Sequence, residues 1–209
     1  VSISVSGLSP GKTYYYRMVA QNSAGTTYGA ERSFATLDTT TPTSSINING
    51  GAAYTKSTSV TLTLSATDAV GITGYYLSTG STTPLASATG WTSVTSTTSY
   101  SASVSYTLSS GDGSKTVYAW FKDAAGNVSN AASDSITLDT TIPVITITSP
   151  TSNSTYTATS STVNPGGSAS DSTSGVSSVA WSNSKGGSGT ANGTTSWSIS
   201  GISLSSGDN

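Results

Sequence analysis

The feature that most constrains this chain is an internal repeat. Leu37-Asp38-Thr39-Thr40-Thr41-Pro42 returns as Leu138-Asp139-Thr140-Thr141-Ile142-Pro143, an offset of 101 residues, close to the ~100 residues of a two-sheet β-sandwich. Three corners keep nearly the same period: Leu8-Ser9-Pro10-Gly11, Leu108-Ser109-Ser110-Gly111 and Leu204-Ser205-Ser206-Gly207. Asn22-Ser23-Ala24-Gly25 answers to Asp123-Ala124-Ala125-Gly126, and Ala66-Thr67-Asp68 to Ala169-Ser170-Asp171. The chain therefore divides into the C-terminal part of one module (1–37), a complete module (38–138) and the N-terminal part of a third (139–209). It is expected to be an interior stretch of a longer string.

The expected fold class is all-β, as tandem sandwiches with the outer two truncated. About two residues in five are Ser or Thr, and charged residues are only 8%, against about a quarter in an average soluble domain. Such a chain folds when β-branched residues alternate with small polar ones, as in Val60-Thr61-Leu62-Thr63-Leu64-Ser65 and Ile145-Thr146-Ile147-Thr148. In the central module the pattern predicts strands over 44–49, 58–67, 72–78, 91–95, 101–108, 115–122 and 133–138. In the third, Trp197 and Ile199 share one phase and Ile202 and Leu204 the other, so a bend is expected at Gly201.

Composition excludes several functions. With no His and no Cys, acid–base or nucleophilic chemistry would rest on nine carboxylates, among them Asp208, seven Lys or Arg and hydroxyls. Nearly all the carboxylates fall in turns, where Asp normally accepts from local backbone donors, and no catalytic centre is expected. A net charge of −2 from scattered groups provides no basic stripe for phosphates, so nucleic acid is not an expected partner. Ser182-Asn183-Ser184-Lys185 and Gly186-Gly187-Ser188-Gly189 mimic enzyme motifs but lack the strand-to-helix context those motifs need; the second reads as a hairpin turn. The sequons at Asn127, Asn153 and Asn192 carry little weight in so Ser/Thr-rich a chain.

Residues 1–37 resemble the C-terminal half of a fibronectin type III domain. The resemblance lies in alternating Val1, Ile3 and Val5, the run from Gly7 to Arg17, and Ala20-Gln21-Asn22-Ser23-Ala24-Gly25. It implies that Tyr14 packs under the corner built by Leu8, Pro10 and Gly11, its hydroxyl bonding back to the turn. The later modules resemble bacterial immunoglobulin-like domains of large surface and secreted proteins, through the Asp-Thr-Thr-x-Pro junctions and the run from Val117 to Asn127. The resemblance implies an extracellular or cell-surface role as a stalk, spacer or adhesive repeat. The alternatives are a carbohydrate-binding accessory of a secreted polysaccharide-degrading enzyme and a filament subunit. Expected partners are neighbouring modules, a surface glycan or protein, or other copies of the chain, with any anchor outside these residues.

Two groups of side chains are candidates for binding. Asp123, Asn127, Asp139 and Asp171 are expected near the second junction, where their oxygens could hold calcium, the one cofactor the sequence suggests; ordinary turn capping is the competing reading. The first junction, with Asn22 in place of Asp123, is expected to hold less charge. If Val117, Ala119 and Phe121 face the core, Tyr118 and Trp120 face outward beside Tyr76, an aromatic patch suited to a sugar ring or a protein. Alternatively these rings pack cross-strand beneath the 82–94 excursion.

Overall fold

The computed structural model describes residues 3–207, so Val1 and Asp208 lie outside the described residues. The fold is all-β: seventeen strands and no helix occur among the described residues. Two compact units form, one holding the chain up to Ala53, Thr58–Ser109 and Ser114–Ile136, the other Tyr54–Ser57, Ser110–Gly113 and the chain from Thr137 onward.

In the first unit, β1 (Thr13–Tyr16) pairs antiparallel with β4 (Arg32–Ala35), and β2 (Val19–Asn22) forms a hairpin with β3 (Gly25–Tyr28). The Tyr14 ring stacks on Phe34 at 5.8 Å, and its hydroxyl accepts a 2.8 Å bond from the Ser9 backbone N–H. The corner bond expected of Tyr14 is therefore present. Several apolar side chains of this segment stay in solvent, among them Ile3, Val5, Met18 and Leu37.

The core of that unit is built by β5 (Thr43–Ile48), β7 (Ser59–Ser78), β8 (Thr92–Thr107), β9 (Gly113–Asp123) and β10 (Ala132–Leu138). β7 serves two layers. Its first half, 59–67, lies between β5 and the second half of β8; its second half, 72–78, pairs with β9 and the first half of β8. Ile48, Val60, Leu62, Leu64 and Ala66 from one layer meet Ile72, Val117, Ala119, Phe121 and Ile136 from the other, all essentially buried. Burying a side chain of this size is worth about 1.5–3 kcal/mol, so these residues fix which face of each strand points inward.

Sequence reading expected separate strands on either side of 68–71 and of 96–100, whereas each pair is continuous, with register shifts between Thr67 and Ile72. The physical reason is local. Asp68 Oδ1 accepts from the Val70 and Gly71 N–H groups at 2.8 and 3.0 Å, and Gly71 adopts φ +114°. A carboxylate and a glycine thus hold a bulge where a loop was expected.

In the second unit, β6 (Tyr54–Thr55) pairs in parallel with Thr137 and Leu138 at the end of β10. Beyond them, β11 (Val144–Ser149), β13 (Gly166–Ser170) and β16 (Ser196–Ser198) form one sheet. β12 (Thr162–Val163) pairs with β17 (Ile202–Ser203), and β14 (Ala180–Ser182) with β15 (Ser188–Thr190). Ala169, Val179, Trp197, Ile199 and Ile202 form the core. The expected bend sits at Gly201, φ +70°, whose N–H is held by Asn164 Oδ1 at 2.7 Å. Gly186 and Gly187 close the β14–β15 hairpin, while Ser188 and Gly189 already belong to β15.

Candidate metal centre

Asp residues are accepted in turns because a short carboxylate can capture backbone N–H groups two or three residues on. Asp38, in the segment after β4, does so with Thr40 N at 3.1 Å, and Asp68 does so at the β7 bulge. Asp123 ends β9 and receives the Asn127 N–H and the Asn127 Nδ2, each at 2.8 Å. Asn127 Nδ2 also donates to the Asp38 carbonyl at 3.2 Å, tying the segment before β5 to the loop after β9.

These bonds bring three carboxylates together. Asp38, Asp68 and Asp123 are 5%, 8% and 2% exposed, and one oxygen of each lies within 4.8 Å of the others. At that separation and an effective dielectric of ~20, two ionised carboxylates repel by about 3 kcal/mol. The neighbouring cation does not relieve this: Lys122 Nζ donates to the Ala86 carbonyl at 3.0 Å and sits 4.8 Å from the centre of the Trp91 ring. Asp38 Oδ2 is buried and accepts no hydrogen bond. A turn packs directly against the group. A Cβ added to Gly11 would lie 2.5 Å from Val70 Cγ2 and 3.5 Å from Asp38 Cβ.

The four residues expected to share one calcium ion are thus partnered differently. Asp123 and Asn127 join Asp38 and Asp68, all in the first unit. Asp139 and Asp171 are instead linked within the second unit: Ser174 N donates to both Asp139 Oδ2 and Asp171 Oδ1, at 3.1 and 2.9 Å. The β7 bulge explains the grouping in the first unit. Thr43, at the start of β5, pairs with Thr67 just before the bulge, and Asp123, at the end of β9, pairs with Ile72 just after it. The segment entering from Asp38 and the end of β9 therefore both arrive at Asp68.

In the second unit, Asp112 takes up Thr140 N and Oγ1 at 2.8 and 2.7 Å and Thr141 Oγ1 at 2.5 Å. The Thr141 hydroxyl, then the Thr140 hydroxyl and backbone, hold its carboxyl below the usual carboxylate range. The Asp171 carboxyl is also held low, chiefly by the Thr173 N–H, against a rise from burial. Asp112 is thus satisfied by two threonines, whereas Asp171 Oδ2 is buried and accepts no hydrogen bond.

The aromatic patch is not where sequence reading placed it. Trp120 is fully buried, which removes it as a platform for a sugar. Tyr76 stands edge-on between Trp91 and Trp120 at 5.6 and 6.2 Å, and Tyr118 stacks on Trp120 at 6.0 Å. Trp91 belongs to the excursion after β7, latched by its Nε1–H to the Leu85 carbonyl at 2.9 Å. The cross-strand alternative therefore describes these rings. Tyr118 alone reaches a shallow groove of about 360 Å³, lined also by Thr79, Ser109, Ser114 and Lys115. No helix among the described residues is long and apolar enough to cross a membrane. No protein-family model matches the chain, and no curated protein is detectably similar to it in sequence.

Proposed function

We propose that this chain is a non-catalytic run of immunoglobulin-like and fibronectin type III-like sandwiches, serving outside the cell as a structural or adhesive spacer. The observation that carries this reading is the recurrence of the same turn bonds one module apart. Asp38 Oδ1 accepts from Thr40 N and Asp139 Oδ1 from Thr141 N; Asp68 Oδ1 accepts from the N–H groups two and three residues on, and Asp171 Oδ1 does likewise. A unit repeated down to its side-chain bonds, with a Pro after each Asp-Thr-Thr, suits a string of modules joined by short stiff connections. The absence of His and Cys supports the non-catalytic part.

Forced unfolding of the chain tests this. Rupture of the central module should lengthen the tether by roughly 290–330 Å, from ~100 residues at 3.3–3.6 Å each less a folded span of about 30–40 Å. A chain that yields with no discrete event of that size would defeat the spacer reading. The groove beside Tyr118 favours the accessory reading instead, since an aromatic ring among hydroxyls and an amine matches a sugar. Glycan-array binding lost in Tyr118→Ala would select it.

A further inference from the structure

We propose that Asp38, Asp68 and Asp123 form a calcium site that fastens the segment after β4 to the bulge of β7 and the end of β9. The inference goes beyond the spacer reading and does not rest on it. Two observations carry it. Three buried carboxylates converge from three separate stretches of chain, and the Asp38 oxygen not used by Thr40 is buried without any donor. Buried polar atoms are nearly always partnered. An orphan carboxylate oxygen beside two more carboxylates is matched by a cation, which satisfies all three at once.

The donor set identifies the ion by class. Carboxylate oxygens select hard cations, and with neither His nor Cys in the chain the softer transition-metal sites have no ligands. Calcium, with oxygens at 2.3–2.6 Å, spans opposite ligands ~4.6–5.2 Å apart; magnesium, at 2.0–2.1 Å, spans only ~4.0–4.2 Å. The three oxygens lie within 4.8 Å of one another, a spread calcium can bridge, and calcium is favoured over magnesium because it accepts irregular cages made wholly of protein oxygens. Each carboxylate is also pre-oriented by backbone donors, Thr40 N, Val70 and Gly71 N, and Asn127 N. The ligand oxygens are thus positioned before the ion arrives.

The test uses the 209-residue chain, stripped with chelator and titrated with calcium chloride by calorimetry and thermal melting. Saturable binding in the micromolar to millimolar range is expected, the span of calcium sites from sensors to weak modules, with a rise in the melting temperature of the first unit that magnesium at equal concentration does not reproduce. Asp38→Asn should abolish the calcium-dependent rise while melting higher than the parent in chelator, because it removes a repelling charge. Asp68→Asn should weaken binding at least tenfold, and Asp171→Asn should leave it unchanged. No heat and no shift at 10 mM calcium would overturn the proposal. So would undiminished binding by Asp38→Asn, or an Asp38→Asn chain less stable than the parent in chelator. Failure of forced unfolding to show a module-sized step would leave these readings intact, so the two proposals are separable.

Discussion

Trp120 separates a sheet that is built to be covered from one that presents a binding face. Its side chain is fully buried, packed between Tyr76 and Tyr118, with the excursion carrying Trp91 laid over the column. Truncation to Ala should cost about 3–5 kcal/mol, the range for buried Trp or Phe. The first unit, of roughly 130 residues, lies between the size classes that shift by 4–8 and by 2–4 °C per kcal/mol, so at about 4 °C per kcal/mol the loss is roughly 12–20 °C. Trp120→Phe should behave otherwise. Trp120 Nε1 is buried without a partner, and removing an unsatisfied N–H recovers about 1–3 kcal/mol, which offsets most of the lost ring area. Urea unfolding followed by circular dichroism is the assay. Trp120→Ala should be strongly destabilised, with faster amide exchange through 79–91, and Trp120→Phe should lie within about 1 kcal/mol of the parent. A Trp120→Ala chain of parental stability would refute the burial argument.

Other outcomes follow from single contacts. A Cβ on Gly167 would sit 1.9 Å from the Thr146 carbonyl oxygen and 2.9 Å from Trp197 Cζ2, so Gly167→Ala should break the β11–β13 pairing and cost about 3 kcal/mol or more, read as lost amide protection at Val144 to Ile147 with the first unit's melting unchanged. The Asp112 clasp should weaken in acid. Its folded pKa lies below the unfolded ~3.9, so its contribution is complete above that value and is lost as pH falls through the lower folded one. Thr140 and Thr141 amide exchange should accelerate below about pH 4, and Asp112→Asn should remove that dependence.

Much of the fold is legible because β-branched residues alternate cleanly. Val60, Leu62 and Leu64 point inward as their spacing requires, and Val117, Ala119 and Phe121 do the same on β9. The Tyr14 bond and the Gly201 bend each follow from one residue type with few geometric options. The acidic group was harder to read. Asp38, Asp68 and Asp123 are 30 and 55 residues apart, and each looks like an ordinary turn residue beside its own N–H donors. What brings them together is the β7 bulge, with the start of β5 paired just before it at Thr67 and the end of β9 just after it at Ile72, and that stretch reads as a loop in the sequence. Trp120 misled for a different reason. Alternation says only that a side chain leaves the core face, and whether that face is wet depends on an excursion whose placement rests on one Trp91 hydrogen bond.

The turn at Gly11 bears on how such a chain can be rearranged. Gly111 and Gly207 occupy the matching corners and share its positive φ, yet a Cβ at either would meet nothing within 4 Å, whereas one at Gly11 would strike Val70. The backbone conformation demands glycine at all three corners, but only the first also demands it for fit. A graft that replaced residues 1–37 with a corner bearing a side chain would wedge Val70 aside and drag the Asp68 bulge with it. Compatibility between residues 1–37 and the strand they pack against is therefore written partly in a missing methyl group, a constraint that no surface charge records.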